Sequence, residues 1–218
     1  GASQSGAGGG GRVAIYYTNS IDFTLTNILA AGGRAGTRVA NPGTIYIQHH
    51  GFSDQLIVDG GAANNIVTAT PMPSVAAHPG GGLDSYSLTD RSAFFEPGSL
   101  IGLRLQPNTN STATFRIIAN TRSRIFTDPA DGRLIDVALA ADSYRVVFGV
   151  GRLVIQNGAT VELLDAHQSR PDRRGHLTAG SIELRNNARL THPYSTLDWQ
   201  FGLELNIADS LTVDATSR

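Results

Sequence analysis

Cysteine and lysine are both absent from this chain of 218 residues, and each absence removes a class of chemistry. Without cysteine there is no disulfide scaffold, no thiolate zinc site and no cysteine nucleophile. Because the 17 basic residues are all arginine, lysine Schiff bases and a Walker-type phosphate loop are also excluded. The chemistry open to this chain is correspondingly narrow.

Charge and long apolar runs are scarce as well. Charged residues make up 16% of the chain, below the roughly 25% of an average soluble domain, which argues against a coiled coil or a charged helical bundle. The net charge of −1 argues against binding to nucleic acid or to an anionic membrane surface. No run approaches the ~18 apolar residues of a transmembrane helix. The hydrophobic fraction of 40% nevertheless predicts a packed core.

The two ends of the chain lack the features of a complete protein. There is no initiating methionine and no signal peptide pattern before the glycine tract at 8–11. The last residues, 211–218, resemble a strand with no closing element. We therefore expect the chain to be a segment excised from a longer protein.

Short β-rich runs dominate the pattern, and helical periodicity is nearly absent. Each run has three to six residues and is bounded by glycine, asparagine, aspartate or proline, which is typical of an all-β protein with short strands. The predicted strands are 13–17, 23–25, 44–48, 56–58, 115–118, 144–148, 153–155, 161–164, 181–184, 203–207 and 211–213.

One phrase recurs along the chain at a fixed period. LVIQNGA at 153–159, IELRNNA at 182–188 and LTVDATS at 211–217 begin 29 residues apart, and LIVDGGA at 56–62 is a fourth copy. A period between about 20 and 50 residues predicts a solenoid. The two apolar positions would point inward and stack on the next coil. The asparagine or glycine would turn the corner, because both tolerate a positive φ.

No copy of the phrase falls between residues 83 and 148, where strands and turns alternate at short intervals. This predicts an antiparallel β module inserted into the solenoid, which an exposed coil corner tolerates at little entropic cost. The predicted division is β-helix coils over 1–83, the module over 84–148 and resumed coils over 149–218. Hinges are expected near 80–83 and 149–151.

Several of these motifs carry a resemblance to a known group of proteins. GGGGRVAIYY at 8–17, GTIYI at 43–47, QLIVDGG at 55–61 and LTVDATSR at 211–218 resemble very large secreted or surface proteins of bacteria. Those proteins are built from right-handed parallel β-helix coils of pectin-lyase-like architecture. The resemblance implies that the coils continue beyond residue 218, and it implies no catalytic set.

The middle of the chain resembles a smaller unit found in such proteins and in phage structural proteins. The similarity lies in LTD at 88–90, PGSLIGL at 97–103, FRIIANT at 115–121 and DSYR at 142–145. It implies a small β-barrel-like module.

The most polar stretch, residues 165–176, contains two kinds of candidate site. Asp165, His167, Asp172 and His176 offer metal-ligating groups, but no fixed ligand spacing is present, so a solvated loop between coils is the favoured interpretation. Three arginines could hold a sulfate, uronate or phosphate through bidentate hydrogen bonds, against the alternative of a solvated charge cluster. These are Arg170, Arg173 and Arg174.

An aromatic group follows this stretch and is a candidate for carbohydrate binding. Tyr194 and Trp199 could stack on the apolar face of a sugar while Asp198 and Arg189 bond its hydroxyls. The alternative is ordinary packing in the core and corners. Trp199 is the only tryptophan of the chain.

Catalysis has little support in the sequence. There are only four glutamates; two of them, Glu162 and Glu183, lie on repeat coils and are expected to stack as an exposed ladder. No Gly-x-Ser-x-Gly nucleophile elbow occurs. His49 and His50 are expected to be structural. We predict no catalytic residue, no bound metal and no cofactor.

The sequence as a whole favours a structural or adhesive segment of a bacterial extracellular or cell-surface protein. Its partners would be flanking coils of the same or a neighbouring chain and surface polysaccharide, without nucleic acid or membrane insertion. The open ends of a coil stack are unpaired edges that a neighbour must cover. The alternative is a carbohydrate-binding module, with a polysaccharide lyase or hydrolase as a third option.

Overall fold

A computed structural model of the chain describes residues 7–19, 27–49, 53–61, 66, 68–167 and 172–218, without the side chains of residues 172 and 173. The all-β prediction is confirmed. The strands are β1 (Arg12–Tyr17), β2 (Arg34–Ala35), β3 (Arg38–Val39), β4 (Thr44–His49), β5 (Gln55–Asp59), β6 (Thr70–Pro79), β7 (Gly82–Asp84), β8 (Ser87–Thr89), β9 (Arg104–Gln106), β10 (Phe115–Asn120), β11 (Arg124–Thr127), β12 (Ser143–Gln156), β13 (Thr160–Asp165), β14 (Asp172–Arg185), β15 (Arg189–Thr191) and β16 (Gln200–Val213).

Helix is limited to short 3-10 turns in the described residues, at Pro129–Asp131 and Leu134–Asp136. None of the described helices is long and apolar enough to cross a membrane. The predicted strands coincide with observed ones, apart from residues 23–25, which lie outside the described residues. The sequence missed β6, which contains Pro71 and Pro73. Proline cannot donate to a ladder, and it disguises this strand at the edge of its sheet.

The solenoid prediction is confirmed by the register of four parallel strands. Leu153 of β12 pairs with Leu56 of β5 on one side and with Ile182 of β14 on the other. Ile182 pairs in turn with Leu211 of β16. The first apolar position of all four copies of the phrase therefore lies in one column, and the period of 29 residues is one coil.

A second stack of parallel strands closes the coils. Val161 of β13 pairs with Thr70 of β6 and with Leu190 of β15, and the chain forms a β-solenoid of about six turns. The side chains between the stacks make one core, in which each buried leucine, isoleucine or valine contributes about 1.5–3 kcal/mol. Its fully buried members include Val58, Met72, Leu153, Ile155, Ala159, Val161, Leu163, Leu177 and Ile182.

The corners between strands use the asparagines that the sequence predicted for them. Asn157, Asn186 and Asn187 have φ of 56°, 57° and 62°, in the left-handed region. The Asn157 side chain donates to Asp59 Oδ1 at 2.8 Å and accepts from Asn186 Nδ2 at 3.0 Å. The polar side chains of successive corners are thus bonded from coil to coil.

An antiparallel module interrupts the first of these coils. In the inserted module, residues 75–147, the end of β6 pairs with the start of β12, and β9, β10, β11, β8 and β7 follow in that order. Its separate core contains Phe95, Leu100, Leu105, Phe115, Ile117, Ile125 and Tyr144.

The solenoid and the inserted module share two continuous strands. β6 pairs with β13 up to Ser74 and with β12 from Val75 onward. β12 pairs with the module at Val147 and with β14 from Phe148 onward. Both crossings therefore lie inside strands, whereas the sequence placed hinges at 80–83 and 149–151. The division into three domains stays a prediction.

The front of the chain departs from simple coil stacking. β1 and β4 run parallel to each other, but β4 pairs with β5 in the antiparallel sense, with Tyr46 opposite Leu56. The chain therefore reverses direction between β4 and β5. The parallel ladder of coils begins at β5 in the described part of the chain.

Candidate functional site

The last coil presents an apolar surface that the inner coils bury. Leu211 and Val213 of β16 are 53% and 46% exposed, whereas the equivalent Ile182 and Leu184 of β14 are 1% and 3% exposed. Among the described residues, β16 pairs only with β14. We call this surface the end face and define it by the apolar side chains of β16: Leu203, Leu205, Ile207, Leu211 and Val213.

The corner beside the end face is held by side chains rather than by a further corner. Asn186 N donates to Asp214 Oδ2 at 2.6 Å, and Asn187 N donates to Thr216 Oγ1 at 2.9 Å. Ala188 N donates to Ser217 Oγ at 3.0 Å. The Asn186 amide and the Ser217 hydroxyl lower the pKa of the Asp214 carboxyl below its usual range. This corner therefore already has defined geometry.

The residues predicted to bind carbohydrate lie mostly on the loop between β15 and β16. Tyr194 and Leu197 are 93% and 104% exposed, and Trp199 and Asp198 are exposed as well. The loop is shaped by a hydrogen bond from Thr196 N to Trp199 O at 2.7 Å. Leu197 is an apolar member that sequence reasoning missed. The exposed aromatic rings suit stacking on a flat apolar surface.

The predicted arginines are divided between two places. Arg189 is half-buried on β15 and lines a corner groove of about 670 Å³ with Asn187 and Arg218. Arg174 is exposed on β14 and lies beside Gly202, shortly after the loop that carries Trp199. The pairing of β14 with β16 thus brings Arg174 near the start of β16.

Two of the predicted arginines cannot be located in the same way. Arg170 lies outside the described residues, and only the backbone of Arg173 is described, paired with Phe201. His50 also lies outside the described residues. His49 stacks against Tyr17 with ring centroids 4.6 Å apart.

The interpretation of the 165–176 stretch as a solvated loop is wrong for its described polar side chains. Asp165, His167 and His176 are 7%, 0% and 2% exposed. His176 N donates to the Oγ of Ser74 at 2.7 Å. These side chains lie under the inserted module rather than in solvent, because β6 and β12 carry the module across this side of the coils.

Burial determines the charge of His176. Loss of solvent lowers the pKa of His176, and the Arg145 guanidinium lowers it further. Glu204 Oε1, 3.3 Å from His176 Nδ1, opposes this and raises the pKa, but the net direction is downward. His176 is therefore held in its neutral form over a wider pH range than a free histidine.

A second buried group joins residues that sequence reasoning did not connect. The Oδ2 atom of Asp90 lies 2.9 Å from His78 Nδ1 and 3.1 Å from His167 Nε2. The Tyr144 hydroxyl donates to the same oxygen at 2.8 Å. We call His78, Asp90 and His167 the junction cluster. They come from β6, the turn after β8 and the end of β13, so no local motif could reveal them.

Hydrogen bonds keep Asp90 ionised despite its burial. Burial raises the pKa of this carboxyl, but donors from His167, Ser92 and Tyr144 lower it by more, so the net pKa lies well below the usual range. Ser92 N and Ser92 Oγ bond its Oδ1 at 2.8 and 2.6 Å. The carboxylate is therefore a fixed negative charge in the boundary between solenoid and module.

The expected ladder of Glu162 and Glu183 is wrong. Glu162 lies on β13 between Pro71 and Thr191, in the second stack, whereas Glu183 lies on β14 in the first. Glu183 instead pairs with Arg152 at 2.5 Å and with Arg185 at 3.0 Å. The two glutamates are 21 residues apart, which is not the period of 29.

Comparison of the chain with protein-family models, with curated proteins and with solved structures finds no match. The argument for function therefore rests on the fold, the end face and the buried polar groups.

Proposed function

We propose that this chain is a non-catalytic structural segment of a rod, in which a further coil of the same repeat covers the end face. The exposure of Leu211 and Val213, at positions that the inner coils bury, carries this proposal. The covering coil would pair with β16 in the parallel sense and place its own apolar-x-apolar phrase over Leu211 and Val213. Each inner pair of coils already has this arrangement.

The energetics favour such an extension. Covering two half-exposed aliphatic side chains contributes on the order of 1–3 kcal/mol in total. The outer edge of β16, unpaired among the described residues, would gain a ladder of hydrogen bonds. In a solenoid, the stability of each coil depends mainly on its nearest neighbours, so every added coil stabilises the one below it.

A location on the bacterial surface belongs to the same proposal. Its support is the resemblance of the sequence to large surface proteins with pectin-lyase-like coils. A stiff stack of coils with paired backbone groups resists unfolding at a cell surface without disulfides. Adhesion through surface polysaccharide is the second candidate function, and the exposure of Tyr194, Leu197 and Trp199 favours it.

A chain with one added coil tests the structural role. Residues 182–210, one full period, are duplicated in tandem, so that the present position of β16 acquires a neighbour on its outer side. We expect the free energy of unfolding to rise by about 2 kcal/mol. We also expect amide hydrogen exchange at the covered strand to slow to the rate seen in β14. Urea unfolding and exchange measured by mass spectrometry report the two effects.

The matched control carries the same duplication with aspartate in place of the isoleucine and leucine of the added phrase. It should leave the unfolding free energy unchanged and the added residues unprotected. Equal behaviour of the two extended chains, or no protection in either, would overturn the proposal.

A polysaccharide array separates the structural role from adhesion. Binding by the parent chain that is lost in Trp199→Ala would establish a carbohydrate-binding module instead. Release of reducing sugars or of unsaturated uronates by the parent would contradict the non-catalytic assignment. The structural proposal expects neither result.

A further inference from the structure

We propose that the junction cluster is a binding site for a divalent transition-metal ion, for which Zn²⁺ is the reference. One ligand atom each from His78, Asp90 and His167 lies within 4.8 Å of the other two. In a tetrahedral zinc site with bonds of about 2.0–2.2 Å, neighbouring ligand atoms are about 3.3 Å apart. The nitrogen-to-oxygen distances of 2.9 and 3.1 Å are close to that spacing.

The crowding around Asp90 supports a shared cation. Its Oδ2 atom has three potential donors within 3.1 Å, namely His78 Nδ1, His167 Nε2 and the Tyr144 hydroxyl. A carboxylate oxygen offers about two lone-pair sites. A metal ion between the two imidazoles and the carboxylate would satisfy both rings through one centre and leave room for the hydroxyl.

The arrangement of the two rings supports the same assignment. The centroids of His78 and His167 are 4.1 Å apart, with the planes at 31°. Two imidazolium rings at this distance would repel each other, so the stacking suits neutral rings, and neutral imidazole is the form that ligates metals. Imidazole nitrogen with carboxylate oxygen is a donor set suited to zinc.

The surroundings hold the ligand atoms in place. The Oδ1 atom of Asp90 is fixed by Ser92 N, Ser92 Oγ and Ala93 N, which turns Oδ2 toward the histidines. Asp165 Oδ1 accepts from His167 N at 2.9 Å. Such outer contacts are what orients ligands in metal sites. The Pro79 carbonyl, 2.9 Å from His78 Nδ1, supplies a further oxygen near the cluster.

The position of the site implies a structural role. His167 follows β13 of the solenoid, whereas Asp90 belongs to the inserted module and His78 to the strand that enters it. A metal ion here would link the two parts of the chain. The His167 and Asp90 side chains are almost fully buried, and the His78 side chain, 18% exposed, leaves an approach from solvent.

Calorimetric titration of the chelator-treated chain with ZnCl₂ tests the site. We expect one ion per chain and, at saturating Zn²⁺, a rise of about 5 °C or more in unfolding temperature. His78→Ala should abolish both effects. His192→Ala is the matched control, because His192 also precedes a proline and has its Nδ1 2.7 Å from that proline's carbonyl. The control should behave as the parent.

Absence of stoichiometric binding in the parent, or binding that survives His78→Ala, would overturn the proposal. Circular dichroism of each variant shows whether it folds. If His78→Ala does not fold, the parent alone decides. Zn²⁺ must then shift the imidazole resonances of His78 and His167 and not those of His192, and Co²⁺ must acquire the visible absorption of a nitrogen-ligated ion. Failure of either signature rejects the site.

Discussion

At the scale of the residue, buried polar side chains set this protein apart from a purely apolar coil stack. Ser74, Asp90, His167 and His176 are at most 2% exposed, and each lies near the boundary between solenoid and inserted module. Burying such groups costs free energy unless each has a partner. The hydrogen bonds around Asp90 and Ser74 provide those partners, and they make the boundary sensitive to protonation.

His176 gives this sensitivity a predictable sign. Burial and Arg145 lower its pKa in the folded chain, against the opposing effect of Glu204, whereas the unfolded chain has the ordinary value of about 6.5. Below that pH the unfolded chain takes up a proton that the folded chain refuses. The contribution of His176 is therefore complete above pH of about 6.5 and is lost as the pH falls below it.

We accordingly expect the parent to unfold at lower urea concentration at about pH 5.5 than at about pH 7.5. The difference should shrink in His176→Gln and persist in His192→Gln. Urea unfolding followed by circular dichroism measures it. The assignment to His176 fails if all three chains lose the same stability.

At the scale of the element, the corners keep successive strands in register. Each coil turns at a left-handed asparagine or glycine, where a residue with a branched side chain would clash with its own backbone. The corners differ in their side-chain bonding. Asn157 is bonded to the corners on both sides, through Asp59 and Asn186. The bond of Asn187 to the next coil runs through its backbone, to Thr216 Oγ1.

This difference predicts unequal effects of the same substitution. Asn187→Ala should lower the free energy of unfolding by about 1 kcal/mol, the cost of a left-handed alanine. Asn157→Ala should cost about 2 kcal/mol or more, because it also removes two side-chain hydrogen bonds. Asn187→Gly should be close to neutral. Chemical denaturation of the three variants measures the order, and equal losses at 157 and 187 would refute the corner ladder.

At the scale of the whole molecule, β6 and β12 make the solenoid and the inserted module mechanically continuous. Each strand pairs with the solenoid at one end and with the module at the other. Damage to the module core should therefore be felt in the coils. A module joined only by flexible linkers would unfold on its own.

Leu105→Ala tests this continuity, because Leu105 is fully buried in the module core. We expect a loss of about 2–5 kcal/mol and faster amide exchange in β13 as well as in β10. Ile118→Ala is the control, since Ile118 on β10 is 44% exposed and should cost less than about 1 kcal/mol. Faster exchange confined to the module would show that the two parts unfold independently.

The fold was largely predictable from the sequence, since the information about coil stacking is local and repeated. Leu153, Ile182 and Leu211 occupy one column because the same phrase returns after each turn. Asparagine and glycine mark the corners, because few other residues tolerate their backbone conformation. The reversal between β4 and β5 was not predictable, because a strand's direction leaves no mark in its apolar pattern.

The candidate sites needed the tertiary structure. His78, Asp90 and His167 lie far apart along the chain and meet only because β6 returns from the module beside β13. Leu211 has the same apolar character as Ile182, and only the missing cover makes it part of the end face. By itself the sequence determined which side chains stack, because the period is written in it. The three-dimensional path of the chain decided which polar groups were buried together and which apolar ones were left exposed.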